Sequence, residues 1–190
     1  MSVFTTWTGA TLEFDKLEKY SPDIRDVAHS LSLLCRYRGQ IDYLYSVAQH
    51  SLFVEEILAT EGCSLYCRLS GLLHDAPESI ISDCPSPLKQ LLPEFMAFEK
   101  RIGDLFDWHF HVQSDLSEVI AADKAALLAE SYCLVPTEAM PIADIHYLVY
   151  NLPPKYSGLF RGVEDPDVTE QKFLAKYWEL KYLIEKDFQP

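Results

Sequence analysis

The sequence predicts an all-α fold, a helical bundle with a short β-hairpin at its N-terminus, and three observations carry that prediction. Apolar residues recur at three- and four-residue spacing in successive segments, which is the period of an amphipathic helix. Ser, Pro and Gly punctuate those segments where helices begin and end. The start, Phe4 to Phe14, instead sets Thr, Trp and Phe around Gly9, a hairpin signal. Hydrophobic residues make up 48% and charged residues 24% of the 190, which suits a single compact domain over 1–190 that needs no disulfide or metal staple to fold.

After the hairpin, Ser21-Pro22 reads as a helix opening, and Ile24, Val27, Ala28, Leu31 and Leu34 follow at helical spacing before Gly39. A second helix is expected from Ser46 to Thr60, with Val47, Val54, Ile57 and Leu58 on its buried face, Glu55-Glu56 towards water, and His50 on the apolar side. A third, Ser64 to Ile81, is apolar through Leu72-Leu73 and therefore central. Asp83-Cys84-Pro85-Ser86-Pro87 ends it, because proline lacks the backbone donor and disfavours helix in the residue before it. A fourth helix spans Leu88 to Phe106. A fifth begins at the cap Ser114 and runs towards Cys133, with Leu116, Val119, Ile120, Asp123, Leu127 and Leu134 on its core face. Pro136 to Asp165 reads as irregular. Asp167 to Lys186 closes the chain as a helix through Phe173, Leu174, Tyr177, Leu180 and Ile184.

Charge limits the partners. Sixteen Lys and Arg against 29 Asp and Glu leave a formal charge of −13, so the surface repels a nucleic-acid polymer instead of releasing counterions from one. A small anion is still admissible, since a bound cation can reverse the potential inside one pocket. The five cysteines are an odd number, and no basic and then apolar stretch follows Met1, so a reducing cytoplasm is expected. Cys63 and Cys67 lack a second pair and make no zinc site. No apolar run reaches the roughly 18 residues of a membrane span.

The chemistry is carried by His50, His74, Asp75 and Asp123. Three helices each put one or two of these metal-competent side chains on a face that otherwise reads as core. Burying such groups costs several kcal/mol unless something replaces the lost solvation, and a shared divalent cation does so best. Glu78 lies four residues after His74 and three after Asp75, on the same surface one turn on. That position suits a group that handles a water without ligating the ion. Two imidazoles and two carboxylates suit Mn, Co, Zn or Fe better than Ca or Mg. Singly, each residue has an ordinary structural reading, and it is their combination that points to one metal.

At these residues the chain resembles a known family. The segments Ser46-Val-Ala-Gln-His50-Ser, Gly71-Leu-Leu-His-Asp-Ala-Pro-Glu78, Asp83-Cys-Pro-Ser-Pro-Leu-Lys89 and Ala122-Asp123 resemble the HD-domain 5'-deoxynucleotidases. They also resemble short phage HD hydrolases, including dATP triphosphohydrolases of phages that replace adenine in their DNA. The likeness runs from about Thr8 to Glu130.

The resemblance implies an HD-domain phosphohydrolase whose single divalent metal (Co, Mn or Zn) is held by His50, His74, Asp75 and Asp123. Glu78 and Asp83 would be its catalytic carboxylates, with Asp83 beside the scissile phosphate and sugar. Lys89 would support the phosphate and Arg36-Tyr37 would contact the nucleotide, although the bacterial enzymes carry tryptophan where this chain has Tyr37. A metal-activated water would then attack the α-phosphorus of a 2'-deoxynucleotide and release the deoxynucleoside. A monophosphate would yield phosphate and a triphosphate would yield triphosphate, and the sequence leans only slightly to monophosphates. A homo-oligomer is also implied. Two further readings stand beside these: a dinuclear phosphodiesterase that recruits His109 and His111, and a non-catalytic nucleotide-binding domain.

Overall fold

In a computed structural model the chain is described over residues 3–136 and 150–187. It is all-α with a short N-terminal β-hairpin. Strands β1 (Val3–Thr5) and β2 (Thr11–Glu13) pair antiparallel with Phe4 opposite Leu12, and Gly9 takes the positive φ of +90° that the turn requires. Leu12 enters the core. Thr8 fastens the hairpin to the first helix by donating its backbone N–H and hydroxyl to the Asp26 carboxylate, at 2.7 and 2.8 Å.

Helix α1 covers Ile24–Leu33 and is capped by Asp23, not by Ser21; the Asp23 carboxylate accepts the Arg25 N–H at 2.8 Å. Helix α2 covers Val47–Thr60. Ser46 caps it within a capping box, in which its hydroxyl accepts from Gln49 N and Gln49 Oε1 accepts from Ser46 N. Glu55, expected to face water, is buried and takes both Arg68 donors, at 2.8 and 2.5 Å.

The expected third helix is two helices, α3 (Leu65–Leu73) and α4 (Glu78–Ile81). Pro77 explains the break, because its nitrogen has no proton and its ring would collide with the Leu73 carbonyl in a continuous helix. His74 and Asp75 therefore sit in the joint between α3 and α4. The short α5 (Ser86–Lys89) follows. Helix α6 runs Pro93–Phe110, starting later than Leu88 because proline is admitted only in the first turn.

Helix α7 covers Ser117–Leu134. Ser114, expected as its cap, instead bonds to Asp107 through both its N–H and its hydroxyl. The buried face of α7 is Val119, Ala122, Ala126 and Ala129, while Ile120 and Leu127 are exposed. Small side chains let α7 lie close on α2, and closeness rather than apolar bulk selected the face. Within the segment expected to be irregular, Pro154–Ser157 forms α8, and residues 137–149, including His146, lie outside the described residues. Helix α9 (Pro166–Asp187) buries Phe173, Tyr177 and Leu180.

The core has two parts. The larger joins the hairpin, α1, the start of α2 (Val47 and Ala48), α3, α6 and α9; the smaller joins the rest of α2 to α7 through Phe53, Val54, Ile57, Leu58, Val119 and the three alanines. His50 lies at their seam, on the helix that packs against both α3 and α7. All five cysteines are free thiols. No helix among the described residues is long and apolar enough to cross a membrane.

Candidate metal centre

His50 is wholly buried in α2. Its Nδ1 lies 2.6 Å from Oε1 of Glu130, and its Nε2 lies 3.1 Å from Asp123 Oδ1 and 3.6 Å from Asp75 Oδ2. At the end of α3, His74 Nδ1 lies 2.8 Å from the Gly71 carbonyl. A carbonyl can only accept, so that nitrogen carries the proton and Nε2 faces the other way. His74 Nε2 lies 3.2 Å from Asp75 Oδ2 and 3.9 Å from Asp123 Oδ1. One ring nitrogen each of His50 and His74 and an Asp123 oxygen all fall within 4.8 Å of one another.

These atoms fit a divalent ion. Both Nε2 atoms are buried and lack a hydrogen-bond partner of good geometry, and such orphans are costly unless something fills the gap. The grouped donors are two imidazole nitrogens and the Asp123 carboxylate, a set that suits a borderline transition metal; Asp75, expected as a fourth ligand, does not fall within that group, its Oδ2 lying 3.6 and 3.2 Å from the two Nε2 atoms. Each ring also has its other nitrogen engaged, by Glu130 or by Gly71, which is how metal-binding histidines are oriented.

Electrostatics follow from the crowding. Burial pushes the His74 imidazole down, but Asp75 and Asp123 more than offset it and raise the group to about 9. Burial alone would raise Asp75, yet His74, His50 and Arg36 hold it far below the usual carboxylate range. Glu78 is displaced the other way: burial, helped by Asp75 and Asp83, pushes its carboxyl up to about 9.

The remaining sequence-predicted residues fall around this cluster. Glu78 shares with His74 and Asp75 a cavity of about 340 Å³, and its buried Oε2 has no hydrogen-bond partner. Asp83 reaches the site as a charge acting on Glu78. Lys89 lines the same cavity but is ion-paired to Glu99 at 2.5 Å. Arg36 is no solvated helix-end charge. It is largely buried between Asp75, at 3.6 Å, and Glu130, at 3.4 Å. The Tyr37 hydroxyl is 3.2 Å from that of Ser131, and Tyr37 and Arg38 both have positive φ, a strained backbone for bulky residues.

Sequence reasoning missed Glu130 and Tyr45, whose hydroxyl donates to Glu130 Oε1 at 3.0 Å. A signal was available, since Glu130 follows Asp123 by seven residues and so repeats its face two turns on. Among the described residues, His109 and His111 do not join the ligand group. His29 is ion-paired to Glu170 and stacked on Trp7. A larger cavity of about 460 Å³ opens beside Tyr45, Phe53 and Phe160 but contains none of the ligand residues. Converging donors, not size, mark the site: His50 is buried, His74 nearly so, and the Asp123 side chain, expected on the core face of α7, is 42% exposed.

Two proteins are similar in sequence. Over 102 residues the chain is 37% identical to the uncharacterized protein YfdR of Escherichia coli K12, covering 54% of each. Over 126 residues it is 36% identical to an uncharacterized protein of Rhodobacter capsulatus, covering 64% of this chain and 63% of that protein. The chain thus matches between about half and somewhat under two thirds of the length of these relatives. No family model matches the chain.

Proposed function

We propose that the chain is a metal-dependent phosphohydrolase of 2'-deoxynucleotides that cleaves the bond between the α-phosphorus and the 5'-oxygen. One observation carries the reading: the two buried Nε2 atoms converge with the Asp123 carboxylate, with Asp75 beside both, and lack hydrogen-bond partners of good geometry. A divalent ion held there supplies Lewis acidity towards a phosphoryl oxygen and makes water a competent nucleophile at neutral pH. The deoxynucleoside preference rests on the HD-family resemblance.

The chain's own residues supply the rest. Breaking the P–O5' bond leaves an alkoxide that needs a proton. Glu78, the acid that burial keeps protonated at neutral pH, stands beside His74 and Asp75 to give it. Any positive charge beside Asp75 lowers the Glu78 value back towards neutrality, the range in which a proton donor works best. Arg36, largely buried between Asp75 and Glu130, is a cation beside the same cluster that can meet the substrate phosphate.

Charge favours a monophosphate. Past the His74–Asp75 edge the cavity presents Glu78, Glu99, Asp104, Asp107 and Asp115, and its two lysines, Lys89 and Lys100, are already paired with Glu99 and Asp104. A triphosphate tail would lie against these carboxylates, and among the described residues lining the cavity both lysines are already paired.

The test is a mass-spectrometric product assay on deoxy- and ribonucleoside mono- and triphosphates with Mn or Co added, run beside Asp75→Ala. Phosphate and deoxynucleoside from deoxymonophosphates, lost in the variant, is the expected outcome. Triphosphate as product would replace the monophosphate assignment, and no product from any nucleotide would overturn the proposal.

A further inference from the structure

We infer that Glu130 is a positioning residue for the metal centre: by accepting the Nδ1 proton of His50 it fixes the ring so that Nε2 is the nitrogen offered to the ion. The inference deepens the metal-centre reading above and rests on it. The geometry is that of one helix addressing both nitrogens of one imidazole. Asp123 and Glu130 are both on α7, roughly 10 Å apart along its axis and within about 20 degrees of one direction. Asp123 Oδ1 is 3.1 Å from His50 Nε2, and Glu130 Oε1 is 2.6 Å from His50 Nδ1.

A packing role does not account for Glu130. Its side chain has no exposure, in a part of the fold where α7 otherwise buries alanines. An apolar side chain would be cheaper there, since a buried carboxylate must recover its lost solvation from hydrogen bonds. Both hydrogen bonds it makes concern the site, Oε1 taking His50 Nδ1 and the Tyr45 hydroxyl, while Oε2 has no hydrogen-bond partner among the described residues and faces the Arg36 guanidinium as an ion pair at 3.4 Å. Tyr45 is itself buried at 1% exposure and aims Oε1 by donating to it. Among the described residues Glu130 is the hydrogen-bond partner of His50 Nδ1, so its loss leaves the ring held only from the Nε2 side.

The test reads metal binding, not turnover. Dissociation constants for Mn and Zn are measured by competition with a chelating dye for wild type, Glu130→Leu, Glu130→Gln and Tyr45→Phe. Glu130→Leu is expected to weaken binding by about 10- to 100-fold, the usual effect of losing such a partner. Glu130→Gln, which can still accept the Nδ1 proton, should recover part of that loss, and Tyr45→Phe should fall between Gln and wild type. Wild-type affinity in folded Glu130→Leu overturns the inference. Should that variant not fold, ¹⁵N NMR of zinc-loaded wild type decides: a protonated Nδ1 and a metal-shifted Nε2 on His50 support it, and the reverse assignment overturns it. A chain that binds the ion tightly through this arrangement yet hydrolyses no nucleotide would sink the substrate assignment while leaving Glu130's role intact. A wild-type chain that binds neither metal would overturn both.

Discussion

Glu78 and Glu55 are both buried carboxylates, and what lies beside each decides what it can do. Glu55 takes two hydrogen bonds from Arg68, so it is a structural ion pair linking α2 to α3. Arg68→Ala would remove both of those hydrogen bonds and leave the carboxylate with Lys176 at 4.0 Å. Because Arg68 is partly exposed, the expected cost is roughly 2 kcal/mol, below the ~3–5 kcal/mol of a wholly buried pair, as urea denaturation would show. Among the described residues Glu78 has no cation bonded to it, and its Oε2 is unpartnered, which suits proton transfer. Glu78→Gln should therefore lower kcat by about 10²- to 10⁴-fold while dye competition shows unchanged Mn affinity; equal loss of metal affinity would make Glu78 a ligand instead. At this scale the sequence was informative where residue type and position conflict: a histidine or aspartate on an apolar stripe stands out. Glu130 did not stand out, because glutamate on a helix is ordinarily solvated and only the fold buries this one.

Among the elements, the joint between α3 and α4 does most to build the site, and one glycine serves both of its neighbours. A Cβ on Gly71 would lie 2.2 Å from Leu58 Cδ1 and 3.4 Å from Val54 Cγ1, so its absence sets how closely α3 approaches α2. Its carbonyl also holds His74 Nδ1. Gly71→Ala gains helix propensity of about 1 kcal/mol but overpacks against a fully buried leucine at ~1–3 kcal/mol. The expected result is a net loss in thermal denaturation together with weaker metal binding, since parting α2 from α3 separates His50 from His74. Helix existence was legible from period alone. Helix limits were not, because each error came from a proline or a cap whose competitor lay nearby in sequence: Pro77 split one helix, Pro93 delayed another, and Asp107 took Ser114 from the start of α7. The face of α7 was misread because alanine contributes little to an apolar stripe yet permits the closest approach.

For the molecule as a whole, the clustered site makes stability depend on pH in a direction that metal binding opposes. His74 is raised from an ordinary 6.5 to about 9 in the folded chain, so its contribution is fully present below pH 6.5 and is lost as pH rises through 9. Glu78 is raised from 4.5 to about 9, so the folded state also holds this proton more tightly than the unfolded chain, and stability falls over the same rise. Both slopes have one sign between pH 6.5 and 9. The low value of Asp75 acts only at acid pH, outside this window. Metal-free protein in EDTA should thus show a Tm that declines from pH 6.5 to 9. An ion needs neutral imidazoles and ionised carboxylates, so the stabilisation it adds grows over the same interval. The Tm difference between Mn-loaded and EDTA-treated samples should therefore widen with pH, and Glu78→Gln should flatten the metal-free curve without closing that gap. A metal-free Tm that rises towards pH 9 would mean that the His74–Asp75–Asp123 cluster does not hold its protons as the buried geometry requires.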